Sequence, residues 1–229
     1  MVHAAPVPAD LVPDLRTQLE AVAVPANAPA MAAYMKGQFA FLGVASPARK
    51  RAAKSFVAAG HAASAAQLLD AADTCWAQPE REFQYTAVDL LQRWVATLDA
   101  DSVPRIERLI RDKSWWDTVD AIAAHVIGPL VSGHPALTAT MDAWVDDPDI
   151  WIARTAVLHQ LTAGADTDLD RLFDFVDRRC RDTEFFMRKA CGWALRNAAR
   201  QHPDAVRAYV LARGDQLSGL TRREALKHL

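Results

Sequence analysis

A short acidic turn followed by an aromatic residue recurs along the chain, and this recurrence constrains the fold more than any other feature. It reads Gln78-Pro79-Glu80-Arg81-Glu82-Phe83, Asp112-Lys113-Ser114-Trp115-Trp116, Asp147-Pro148-Asp149-Ile150-Trp151 and Asp182-Thr183-Glu184-Phe185-Phe186. Aligned on the aromatics at 83, 116, 151 and 186, the intervals are 33, 35 and 35 residues. Between these turns lie further helical stretches, at 103–110, 137–145 and 169–176. A helix pair repeated at this period buries one face on its neighbour, and successive pairs build a continuous core. The expectation is an all-α fold, an α-solenoid of helical repeats with a concave groove. The period is shorter than the ~40 to 47 residues of HEAT repeats, so the repeats are HEAT-like. Ala-rich composition, 9 Gly and 51% hydrophobic residues agree with a helical protein that has a sizeable core. No low-complexity tract divides the chain, which predicts one domain over residues 1–229, with residues 1–30 as a variable leader and opening helix.

Charge and cysteine usage exclude several classes. The 26 Lys and Arg against 28 Asp and Glu give a net charge of −2, so any polyanion site must be a local patch. The acidic residues should then lie away from that patch. Cys75, Cys180 and Cys191 are odd in number and lack metal-ligand spacing, which predicts reduced thiols and no metal. Met1-Val2-His3-Ala4-Ala5-Pro6 has no basic n-region or apolar h-region, and no apolar run approaches the ~20 residues of a membrane span; a cytoplasmic protein without membrane contact is expected. Leu11, Leu15, Leu19 and Val22 predict an amphipathic helix that ends near Val24-Pro25. Ser46-Pro47 predicts a capped helix start, followed by the densest basic run, Arg49-Lys50-Arg51 with Lys54. By default that run is a solvated helix face, with phosphate contact the alternative.

The stretch 112–120 concentrates two indoles and three carboxylates in nine residues. With Ser114 as N-cap, Trp116 and Asp120 share a helical face, and Trp115 and Val119 turn toward the core. By itself this pattern also fits tryptophans packed between helices and aspartates favouring a helix N-terminus. Trp151 with Arg154, and Lys189 with Trp193 and Arg196, have similar helical spacing in the next two repeats. Convergence of the three sets would line a groove with aromatic planes, guanidinium groups and one carboxylate. Thr221-Arg222-Arg223-Glu224 predicts a Thr-capped turn presenting two arginines. Tyr34 and Lys36 flank a turn available to Gly37 or Gly43. His125, His134 and His159 have no partner at catalytic spacing and read as structural or surface residues.

Over residues 31–229 the chain resembles the HEAT-like-repeat DNA alkylation repair family, the AlkD type of DNA glycosylase. The resemblance is carried by Met31-Ala32-Ala33-Tyr34-Met35-Lys36 with Phe41-Leu42-Gly43, Pro79-Glu80-Arg81-Glu82-Phe83-Gln84, Lys113-Ser114-Trp115-Trp116-Asp117-Thr118-Val119-Asp120, Ile150-Trp151 with Arg154, Glu184-Phe185-Phe186 with Lys189 and Gly192-Trp193, and Arg223-Glu224-Ala225. It implies hydrolysis of the glycosidic bond of cationic alkylated purines, 3-methyladenine and 7-methylguanine, in duplex DNA. It places functional positions at Trp116, Asp120 and Trp193, with the groove arginine at Arg154.

Several roles follow from that resemblance. A cationic base is already a good leaving group, so one carboxylate suffices. Asp120 would stabilise positive charge on the sugar, with orientation of the attacking water as a second possibility. Trp116 and Trp193 would hold the nucleotide by cation–π and CH–π contact, and Arg154 would grip the neighbouring phosphate. Further phosphate contacts are expected among Tyr34, Lys36, Lys113, Arg188, Lys189, Arg196, Arg222 and Arg223. The resemblance also implies an open groove that does not enclose the base, a monomer acting on duplex DNA, and no cofactor. Two other classes stay open: a non-catalytic binder of distorted DNA, and a protein-interaction scaffold with an apolar or acidic groove.

Overall fold

The computed structural model describes residues 8–229, so the reading of Met1 to Pro6 lies outside the described residues. Among the described residues every regular element is helical, and the extended backbone forms a single isolated bridge, Ala40 with Glu80. The fold is all-α, as the repeat predicts, and consistent with an α-solenoid of helical repeats. The chain divides into two compact units, one ending at Leu109 and one beginning at Ile110.

The first unit opens with α1 (Val12–Glu20), α2 (Ala28–Tyr34), α3 (Ser46–Ala52) and α4 (Lys54–Ala59). Each of α1, α2 and α3 carries proline in its first turn, where the missing N–H has no helical partner to lose. Ser46 is the first residue of α3, and Ala45 occupies the cap position without a side-chain bond, one residue from the expected arrangement. Leu15 and Leu19, four apart on α1, are buried, whereas Val22 beyond its end is exposed. A Ser64–Gln67 capping box starts α5 (Ala65–Trp76), which packs on α6 (Arg81–Arg93).

The start of α6 explains two of the sequence motifs together. Glu82 is fully buried and accepts hydrogen bonds from the amides of Leu42, Gly43 and Val44 at 3.1, 3.0 and 3.0 Å. Charge-assisted bonds to a buried carboxylate contribute about 1.5 to 3 kcal/mol. They pin the non-helical stretch after α2 onto α6. Gly43 makes this possible: its φ is +86°, and a Cβ there would lie 2.2 Å from the Val24 carbonyl oxygen. Gln84 donates to the carbonyls of Cys75 and Gln78 at 3.2 and 2.9 Å, closing the end of α5.

The division between units falls within α7 (Val103–Arg111). In the second unit α8 (Trp116–Ile122) runs through a π-helical segment, Ala123–Ile127, into α9 (Gly128–Gly133). Three helix pairs follow: α10 (Thr138–Trp144) with α11 (Ile150–Leu158), α12 (Leu169–Arg179) with α13 (Phe185–Ala198), and α14 (Pro203–Arg213) with α15 (Gly219–Ala225). The second helices form a row in which α8 packs on α11, α11 on α13 and α13 on α15. Flanked on so many sides, α11 buries every residue from Ile152 to Leu158.

Acidic residues occur on the row of second helices, as Asp117 and Asp120 on α8 and Glu224 on α15, and on the first helices many are partners of arginines. Arg171 pairs with Asp142 and Arg178 with Asp146, joining α12 to the α10 stretch. Arg213 and Tyr209 of α14 both reach Asp177 of α12, with Arg213 Nε and Tyr209 Oη each 2.7 Å from Asp177 Oδ1.

Candidate functional site

Trp116 opens α8 because the chain before it cannot continue the preceding helix. Lys113 adopts φ +50°, Trp115 is extended at φ −162° and takes the cap position, and helical geometry begins at Trp116. Ser114 is therefore not the N-cap expected from sequence. Its hydroxyl instead donates to the Ile110 carbonyl at 2.6 Å, closing the end of α7. The consequence for the site is as predicted: Trp116 and Asp120 lie one turn apart on α8, both half-buried, with Val119 in the core.

Asp120 meets Arg154 of α11. The guanidinium binds the carboxylate in a fork, Nε to Oδ1 at 2.7 Å and Nη2 to Oδ2 at 2.8 Å. The remaining nitrogen, Nη1, donates to the Phe186 carbonyl at the start of α13. Arg154 is 3% exposed at its side chain and Asp120 12%. Burial pushes the Asp120 carboxyl above the ordinary aspartate range, the Arg154 bonds pull it back, and the nearby Asp117 charge adds a smaller upward push. With an N–H donated to each oxygen, the fork favours the ionised carboxylate, which accepts both bonds more strongly than the neutral acid. Arg154 thus sits in a different environment from an open phosphate grip, since all three of its nitrogens already have protein acceptors.

A cluster of rings forms at the starts of the same three helices. Trp115 lies 5.5 Å from Trp151 and 5.0 Å from Phe186, and Trp151 lies 5.2 Å from Phe186, all in tilted or edge geometry. The residue that packs with Trp151 and Phe186 is Trp115, so the aromatic repeat is carried structurally by 115, 151 and 186, with Trp116 half-buried beside it. Phe185 remains exposed against the edge of Phe186, at 5.5 Å. The indole nitrogen of Trp115 is buried without a hydrogen-bond partner among the described residues.

Trp193 is half-buried on α13, seven residues after Phe186 on the same helical face. Lys189 and Arg196, on either side of it, converge on Glu224 of α15 at 2.6 and 2.5 Å. Gly192 lets α15 come this close: a Cβ there would lie 2.5 Å from the Glu224 Cβ and 2.9 Å from the Thr221 carbonyl oxygen. Two expected phosphate contacts are thereby neutralised by a carboxylate whose spacing in the sequence suggests a capping box. The cap of α15 is Ser218, which accepts from the Thr221 amide at 3.0 Å; Thr221 is buried and its hydroxyl donates to the Arg188 carbonyl at 3.1 Å. Arg222 pairs with Asp215 at 2.8 Å, Arg188 Nε donates to the Asp182 carbonyl at 2.7 Å, and Arg223 is exposed.

The first unit holds the remaining expected contacts. Tyr34 ends α2 and is 68% exposed, and Lys36 and Gly37, at φ +58° and +73°, make the turn that follows. His159, in the second unit, is buried with Nδ1 2.6 Å from the Ala156 carbonyl, and burial lowers its pKa, in keeping with a structural role. The Cys75 and Cys191 thiols are buried and pushed up to about 12, so neither is a ready nucleophile.

The family model described as DNA alkylation repair enzyme matches residues 15–229. A solved structure described as a predicted DNA alkylation repair enzyme from Enterococcus faecalis is 30% identical, with a TM-score of 0.83, covering 90% of this chain and 95% of its own. No curated protein matches the sequence. The match across nearly the whole length, with 31–229 already marked by the motifs and the start extended to Leu15, places the chain in the DNA alkylation repair enzyme family.

Proposed function

We propose that this member of the family is a DNA glycosylase that hydrolyses the N-glycosidic bond of cationic alkylated purines, 3-methyladenine and 7-methylguanine, in duplex DNA. One observation carries the reading: a carboxylate fixed by a two-point guanidinium fork, one helical turn from a half-buried tryptophan that opens the same helix.

Alkylation at a purine ring nitrogen gives the base a positive charge, so the bond to the sugar breaks without protonation of the leaving group. As it breaks, positive charge moves onto the deoxyribose. A fixed anion then interacts more strongly with the transition state than with the ground state. Asp120 meets that requirement because Arg154 fixes its orientation and favours the ionised form, while partial burial keeps its field from being fully screened. Each carboxylate oxygen retains a lone pair beyond its Arg154 bond, available to the sugar or to an attacking water. Trp116 and Trp193 supply π faces for a cationic nucleotide, each contact contributing roughly 0.5 to 2 kcal/mol. Arg154 serves as a positioning residue for Asp120. Backbone phosphates then fall to polar groups at the surface, with Arg223, Lys36 and Tyr34 as the exposed members of the expected set.

Chromatography of bases released from methylated duplex DNA tests the reading. The purified chain should liberate 7-methylguanine and 3-methyladenine, and Trp116→Ala and Trp193→Ala should each slow release about two- to thirtyfold, the range that removal of a single cation–π interaction sets. Binding without release by the native chain would favour the non-catalytic binder of distorted DNA.

A further inference from the structure

Many arginines of the chain bind carboxylates, whereas in the first unit three basic side chains without a carboxylate partner among the described residues meet around one hollow. The hollow, of about 720 Å³, opens between α3, α4 and the end of α6. This lies within the roughly 300 to 1,000 Å³ typical of small-ligand sites. Lys50 near the end of α3 and Lys54 at the start of α4 line the hollow, as does Arg93, the last residue of α6. None of the three has a carboxylate partner among the described residues, and all three are exposed. Asp89 also faces the hollow, but its carboxylate is bound by the buried Arg49 at 2.7 Å, so the three outer cations remain uncompensated.

The wall between them is an indole held in place. Trp94 donates from Nε1 to the Val57 carbonyl at 2.7 Å, and His61 packs against it edge-on at 5.5 Å. Gly60 permits this position, since a Cβ there would lie 2.4 Å from the indole ring. Arg93 lies over the Trp94 ring at 4.3 Å. A ring fixed from behind, bordered by three unpaired cations, is the combination that holds a phosphate group together with the planar or apolar body attached to it.

We infer that the hollow bounded by Lys50, Lys54, Arg93 and Trp94 is a nucleotide-phosphate site. The phosphate binds the three cations, and the attached sugar or base lies against Trp94 and Val57. The ligand is a phosphate ester, supplied either by a strand of bound DNA or by a free nucleotide. The inference goes beyond the glycosylase reading and uses none of the residues assigned to it.

The test is calorimetric titration of the full chain with inorganic phosphate, deoxyadenosine monophosphate and an unmodified duplex, for the native protein, Lys50→Ala/Lys54→Ala and Trp94→Phe. Circular dichroism melts confirm that each variant is folded. The site predicts that the monophosphate binds at least tenfold more tightly than inorganic phosphate, and that the double lysine variant loses at least tenfold in affinity for the true ligand. If that ligand is a DNA strand, duplex affinity falls and the slope of log K against log salt shrinks by about 2, close to 0.9 for each phosphate no longer neutralised. If it is a free nucleotide, only monophosphate binding falls. Trp94→Phe narrows the preference over inorganic phosphate. Duplex and monophosphate binding both within twofold of native in the folded lysine variant overturns the inference. Base release by the same proteins reads the glycosylase activity separately, so either conclusion can fail alone.

Discussion

Replacing Arg154 with methionine isolates what the guanidinium does for Asp120. The substitution keeps the apolar stem but removes the guanidinium with its two bonds at 2.7 and 2.8 Å, and it leaves the Phe186 carbonyl without its donor. Breaking a buried ion pair from one side costs about 3 to 5 kcal/mol, because the surviving charge is left desolvated. Asp120 relieves part of that cost by taking up a proton. The Arg154 bonds hold down a carboxyl that burial already pushes above the ordinary 3.8, so their loss should raise Asp120 further. The sign for stability follows. Ionising a carboxyl whose folded pKa is raised weakens the fold, so the deficit is largest above the folded pKa and recovers as pH falls through it toward 3.8. Single-turnover release of 7-methylguanine between pH 5.5 and 8.5, corrected for spontaneous loss, should show the acid limb moved to higher pH, with urea melts showing a stability deficit larger at pH 8 than at pH 5. An acid limb and a stability both indistinguishable from native would refute the view that Arg154 keeps Asp120 ionised.

Other perturbations probe the supporting structure. Glu82→Gln exchanges a buried carboxylate accepting three amides for a group with one acceptor oxygen, and should cost about 2 to 4 kcal/mol in urea unfolding at pH 7. Gly192→Ala places a Cβ against Glu224 and the Thr221 backbone, and should destabilise by about 1 to 3 kcal/mol, read as a lowered melting temperature. Lys189 and Arg196 hold the Glu224 carboxyl below its ordinary 4.5, so its contribution is complete above pH 4.5 and is lost as pH falls through the lowered value. Glu224→Gln should therefore unfold more readily than native at pH 7 and approach it in strong acid, in melts taken at both pH values.

Much of this arrangement is legible in the sequence because the repeat is regular. The second helices of the second unit begin at Trp116, Ile150, Phe185 and Gly219, close to the period read from the aromatic turns. The pairing of polar side chains is less apparent, although the same period encodes it. Asp120 and Arg154 are 34 residues apart, Lys189 and Glu224 are 35, and Arg111 and Asp147 are 36. A charged residue on one helix finds its partner at the equivalent place on the next, so opposite charges one period apart mark inter-repeat bonds. That signal turns Arg154 toward Asp120 and Lys189 toward Glu224, whereas Arg196, 28 residues from Glu224, falls outside it. The caps expected at Ser114 and Thr221 fail for another reason. Both residues are chemically able to cap, but a tertiary acceptor or the end of the previous helix takes the hydroxyl, and spacing along the chain carries no information about that competition.

Asp120→Asn provides the most direct test of the central claim, that a fixed carboxylate lowers the barrier to glycosidic cleavage. The measurement is the single-turnover rate of 7-methylguanine release at saturating enzyme, with the dissociation constant for the same duplex determined in parallel. The account predicts a rate lower by at least a hundredfold, about 2.7 kcal/mol of lost transition-state stabilisation, with duplex binding within a few-fold of native. A folded Asp120→Asn protein that released the base at the native rate would contradict it.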